Sequence, residues 1–98
     1  MPSVYFNVVW PDESRSQCYS PSTVIKQFLV EGESYEVDVF MEKVREGLAQ
    51  ASEKVRAKYG YSCSAAADQL KTIEDLVAKG NFPKGSKILI RRITENDL

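Results

Sequence analysis

The sequence predicts an α+β fold in the order β-β-α-α-α-β: a three-stranded antiparallel sheet with three helices packed on one face. Three observations carry that expectation. Val4, Phe6, Val8 and Trp10 alternate with Tyr5, Asn7 and Val9, the period of a half-buried strand. Residues 38–59 repeat apolar side chains at threes and fours, the period of an amphipathic helix. Short turn signals separate the elements, so successive elements reverse direction and the last strand runs antiparallel to the first, with strand one central.

The first strand is expected over residues 3–10. Pro11 fixes one φ and Asp12 can bond back to the backbone, so residues 11–14 read as a hairpin turn. The chain returns over 15–19 with Cys18 on one face and Arg15, Gln17 and Tyr19 on the other. Ser20 and Pro21 read as the start of a helix over 21–30, because serine caps a free backbone N–H and proline is at ease in the first turn. Val24, Ile25, Phe28 and Leu29 would form its apolar face, and Gly32 ends it.

The long helix over 38–59 carries Phe40, Met41, Val44, Leu48, Ala51, Val55 and Tyr59 on one face, with charged residues between them. At 1.5 Å per residue it spans roughly 33 Å. Gly60 closes it, and Tyr61 can fold back on Val55. A third helix is expected over 64–79, with a seam of Ala67, Leu70, Ile73 and Leu76 or Val77. Residues 80–83 (GNFP) break it, a final strand is expected over 86–93, and 94–98 reads as a frayed polar tail. All 98 residues are expected to form one domain.

Composition narrows the chemistry. There is no histidine, so His-dependent triads, proton shuttles and histidine zinc sites are excluded. The two cysteines, Cys18 and Cys63, are too far apart for a CxxC motif and too few for a disulfide framework. A net charge of −1 gives no global attraction to nucleic acid or to an anionic membrane. No long apolar run suggests a membrane span or a secretory leader, and the expected location is the cytoplasm.

The open face of the expected sheet would carry Tyr5, Asn7, Val9, Gln17 and Tyr19. To these the last strand adds either Leu89, Arg91 and Ile93 or Ile88, Ile90 and Arg92. An aromatic face of this kind points to a protein partner or a second copy of the chain. The basic stretch of Lys79, Lys84, Lys87, Arg91 and Arg92, joined to Tyr5 and Tyr19, also has the ingredients of a single-strand RNA platform. The near-neutral charge and the lack of a glycine-aromatic RNA signature argue against nucleic acid. Contact between this basic edge and the acidic stretch 31–46 of another copy competes with it.

Ser20, Ser22 and Thr23 at a helix start could hold a small anion, although ordinary capping asks for the same residues. Cys18 reads as a thiol packed on the core face of a strand. Cys63, at a helix N-terminus where the dipole favours thiolate, is the stronger candidate for reactivity, against a packed thiol at the helix corner. Glu31, Glu33, Glu36 and Asp38 read as a solvated acidic turn, since they lack the spacing of a calcium loop. No catalytic residue, metal or cofactor is expected.

The segments WPD, CYSPS and LAQASEKVRAKYGYSCSAAADQL resemble a small bacterial family of nitrogen-starvation response proteins, over about Phe6 to Leu76. The chain departs from that pattern at Glu13, where a glycine is expected after WPD, and the departure bears on the tightness of the turn. Members are generally encoded beside a nitrilase, a radical-SAM protein and an acetyltransferase, and no catalytic residues are established for them. The resemblance therefore implies an accessory role in nitrogen or nitrile metabolism. A small cysteine-dependent enzyme and an RNA-binding regulator are the alternatives.

Overall fold

The structure, a computed structural model, describes residues 3–60 and 64–96. Alternation along β1 (Ser3–Val9) puts Val4, Phe6 and Val8 into the core, followed by Trp10, and leaves Tyr5, Asn7 and Val9 on the other side. β2 (Arg15–Ser20) returns antiparallel, pairing Phe6 with Cys18 and Tyr5 with Tyr19.

The hairpin turn is tighter than its sequence suggests. The Glu13 N–H donates to the Trp10 carbonyl at 2.8 Å, and the Trp10 N–H donates to the Ser14 carbonyl at 2.8 Å. Asp12 Oδ1 accepts from the Ser14 N–H at 3.0 Å and the Ser14 hydroxyl at 2.5 Å, and these bonds hold its carboxyl below the usual range. This is a type I turn closed by a residue in the left-handed region, the position that hairpins of this length give to glycine. Here it is Glu13, at φ 72°. A side chain in that region costs about 1–2 kcal/mol, partly offset by the backbone freedom glycine would lose. Glu13→Gly is therefore expected to stabilise the protein by about 0.5–1 kcal/mol, and Glu13→Val to destabilise it. Urea unfolding of the two variants checks the opposite signs.

The helix expected over 21–30 is instead a five-residue 3-10 turn, Thr23–Gln27. The β-branched run of Thr23, Val24 and Ile25 disfavours a longer α-helix. The N–H groups of Phe28 and Leu29 both close on the Ile25 carbonyl. A fourth strand, β3 (Ser34–Glu36), corrects the expected count of three. Three residues with one apolar side chain are too few to show a period.

α1 runs Val37–Tyr59, and its first N–H is taken by the Ser86 carbonyl at 3.3 Å rather than by a side-chain cap. Its buried stripe is Phe40, Met41, Val44, Gly47, Leu48, Ala51 and Val55, whereas Tyr59 is exposed. Gly47 lets α1 approach the 3-10 turn, since a Cβ there would run into Ile25 Cδ1 and sit 3.3 Å from Phe28 Cδ2. The expected contact of Tyr61 with Val55 lies outside the described residues.

α2 (Ser64–Gly80) buries Ala66 and Ile73, with Leu70 and Val77 packed against the core. Its seam thus turns slightly from the one expected, and Ala67 and Leu76 are exposed. β4 (Lys87–Asn96) outruns the expected strand: Thr94, Glu95 and Asn96, expected to fray, pair with Tyr5, Val4 and Ser3.

The sheet order is β2-β1-β4-β3, antiparallel throughout, with both helices and the 3-10 turn on the Val4–Phe6–Val8 side. The Tyr19 N–H at the β2 edge donates to Gln69 Oε1 of α2 at 2.9 Å. On the β4 edge Ile93 donates to Glu31 Oε1 at 2.8 Å, while Gly32 and Glu33 bond the backbone of Ile90. Part of the expected solvated acidic turn is therefore an edge cover.

Candidate binding surface on the open sheet face

Register decides what the open face carries. β1 turns Tyr5, Asn7 and Val9 outward, and their β2 partners are Tyr19, Gln17 and Arg15. Tyr5 and Tyr19 form a tilted pair with centroids 5.6 Å apart and ring planes at 60°. On the other flank, β4 sets Thr94 against Tyr5, Arg92 against Asn7 and Leu89 against Val9.

A bulge settles the two alternatives left open for β4, and neither is adopted as a regular strand. The pairing shifts between Asn7 and Val8, which face Arg92 and Ile90, so Arg91 is the extra residue. Ile90 remains on the core side opposite Val8, and Ile93 returns to it opposite Phe6. Both arginines between them are exposed. Without the bulge, strict alternation would drive one guanidinium or one isoleucine to the wrong side.

Arg91 shares a shallow hollow of about 270 Å³ with Asn7, Arg15 and Gln17. The face thus joins an aromatic pair to three arginines and two amide side chains. Lys87 adds a fourth cation next to its cross-strand partner Glu36. Asn7, Arg15 and Gln17 line the hollow with Arg91, and their parity with Tyr5 and Tyr19 is the sequence signal that finds them.

The other expected sites fare differently. Ser20 and Ser22 are buried, so they do not form the open anion site that their position suggests. The Ser20 hydroxyl donates to the Ser22 carbonyl at 2.7 Å, and Ser22 Oγ accepts from the Val24 N–H at 3.4 Å. Thr23 beside them is half-buried. Capping, together with the parity that sends Ser20 to the core side, consumes these groups. Cys18 is 1% exposed, and burial pushes its thiol up to about 12. It stays protonated and enclosed, unlike a nucleophile. Cys63 lies outside the described residues. No described helix is long and apolar enough to cross a membrane.

Comparison with known proteins gives one family: a family model described as nitrogen starvation-induced protein NitG matches residues 5–93. Searches of curated proteins and of solved structures found no significant match.

Proposed function

The chain belongs to the nitrogen starvation-induced protein NitG family, and from that membership we propose that it is a single-domain, non-catalytic accessory protein. It acts in the cytoplasm, binding a protein partner in nitrogen, nitrile-related metabolism through the open face of its sheet. The observation that carries this reading is the Tyr5–Tyr19 pair on the same sheet face as Arg91 and Arg92, a face that neither α1 nor α2 covers. Aromatic and arginine side chains dominate the energetics of protein contacts, because they bury large areas at modest entropic cost. The lack of histidine and the enclosure of Cys18 agree with a role outside catalysis.

The test is the double variant Tyr5→Ser, Tyr19→Ser. Anchor residues of this type contribute about 2 kcal/mol each, so association should weaken by roughly 1,000-fold. Loss of the ring pairing removes about 0.5–1.5 kcal/mol from folding beyond the area the two half-buried rings cover, and a thermal melt monitors the total. Sedimentation velocity reads self-association, and cross-linking in nitrogen-starved cells reads contact with a partner enzyme. Association of undiminished strength in the folded variant would exclude this face as the contact.

A further inference from the structure

A second concavity lies away from the tyrosine pair, where the hairpin turn meets the C-terminal end of α2. It encloses about 390 Å³, within the size range of small-ligand sites. At about 30 Å³ per water, that is the space of roughly a dozen waters. Trp10, Leu76 and Phe82 supply its apolar lining.

These walls are built rather than incidental. The Trp10 indole N–H donates to Ser16 Oγ at 2.8 Å, its ring stands edge-on to Phe40 at 5.8 Å, and Phe82 stacks on it at 6.0 Å with planes 12° apart. Phe82 in turn lies over Gly80, where a Cβ would come within 2.6 Å of the ring Cε1, so only glycine leaves the aromatic stack its place. Leu76, turned off the core seam, is 38% exposed.

The polar inventory is one-sided. Arg15 and Lys79 line the concavity, and neither is in a salt bridge among the described residues. Ser16 Oγ accepts from Trp10, which leaves its own O–H free to donate. The acid among the lining side chains, Asp12, already receives two hydrogen bonds from Ser14. Lys79 sits in the last turn of α2 and offsets the negative end of the helix dipole, and with Arg15 it outnumbers the Asp12 carboxylate by two charges to one. Donors are in excess beside a rigid aromatic wall.

We propose that this concavity binds a small monocarboxylate with an aromatic or branched apolar body: the body lies against Trp10, Leu76 and Phe82, and the carboxylate meets Arg15, Lys79 and Ser16. The site shares Arg15 and Ser16 with the hollow on the sheet face, but Leu76, Lys79 and Phe82 belong to α2 and the loop after it, and Tyr5 and Tyr19 line neither, so variants at Lys79 and at the tyrosines tell the two readings apart. Failure of one reading leaves the other standing.

Trp10 is the chain's single tryptophan, so its fluorescence reports on the site directly. Titration of the whole chain with phenylacetate should give a saturable change, with a dissociation constant of about millimolar order for a ligand so small. Phenylacetamide, which keeps the ring and loses the charge, and acetate, which keeps the charge and loses the ring, should each bind at least about tenfold more weakly. Lys79→Glu should weaken phenylacetate by a similar factor, with a thermal melt showing that the variant keeps its fold. Amide NMR shifts should concentrate at residues 10–16 and 76–82. The proposal is overturned if phenylacetate gives no saturable response, if phenylacetamide binds equally well, or if the shifts map elsewhere.

Discussion

Replacing Phe40 by alanine is expected to remove about 3–5 kcal/mol of folding stability. Phe40 is fully enclosed in the layer between α1 and the sheet, and its ring meets the edge of Trp10 at 5.8 Å and 81°. Truncation loses the transfer free energy of the ring and leaves a cavity whose walls belong to strands and helices that cannot all close in. The aromatic contact adds to that loss. A domain of this size has only about 5–15 kcal/mol in total, so the variant should unfold at much lower urea with an unchanged m-value. Its neighbour Val39, 39% exposed, supplies the control. Val39→Ala should change stability by about 0.5 kcal/mol or less. Equal costs at the two positions would mean that α1 presents a different stripe to the core.

Cys18 should react with iodoacetamide about 10³-fold more slowly than an unperturbed thiol near neutral pH. The rise from 9.0 to about 12 lowers the thiolate fraction by a factor of ten per unit. Enclosure slows access further. A Cys63→Ser background leaves Cys18 as the only thiol, so alkylation followed by mass spectrometry reads it alone. Prompt modification of the folded protein would overturn the placement of this residue.

The same shift has a stability consequence with a definite sign. Below pH 9 the thiol is protonated in both folded and unfolded chains and contributes no pH dependence. Above it the unfolded chain loses the proton while the folded one retains it, so stability falls as pH rises from 9 towards 12, by about 1.4 kcal/mol per unit. The measurement is the difference between the parent and Cys18→Ala, whose curve should lack this component of the slope.

Particular residues show how far the fold could be read in advance. The parity of Val4, Phe6 and Val8 and the stripe from Phe40 to Val55 survive intact in the structure, because each repeat covers enough residues for its period to stand out. The same logic fails for Ser34, Tyr35 and Glu36, which form a strand only because Leu89, Ile88 and Lys87 lie opposite. Ser20 and Ser22 look like an open helix start in the sequence, but they close a buried 3-10 turn whose length the β-branched run restricts.

The candidate face was half legible. Tyr5 and Tyr19 share a parity that places them together, and the hairpin brings them to 5.6 Å. Ile90 and Ile93, three apart with two arginines between them, break the period of two, and that break is the trace of the bulge. Glu13 carries the reverse lesson: the glycine its position calls for is absent, yet the turn keeps the left-handed geometry, so the constraint belongs to the hairpin rather than to the residue.

By itself the sequence determined the α+β class, the first hairpin, the core stripe of α1 and the exclusion of histidine chemistry. Each is a property of composition or of near neighbours along the chain, where periodicity and turn preference act. Tertiary structure alone decided the fourth strand, the covers on the sheet edges and the concavity beside Trp10. These depend on groups far apart in sequence, such as Gln69 on Tyr19, Glu31 on Ile93 and Phe82 on Trp10. No local pattern records such contacts, because each side chain gains its partner only after the layers have packed.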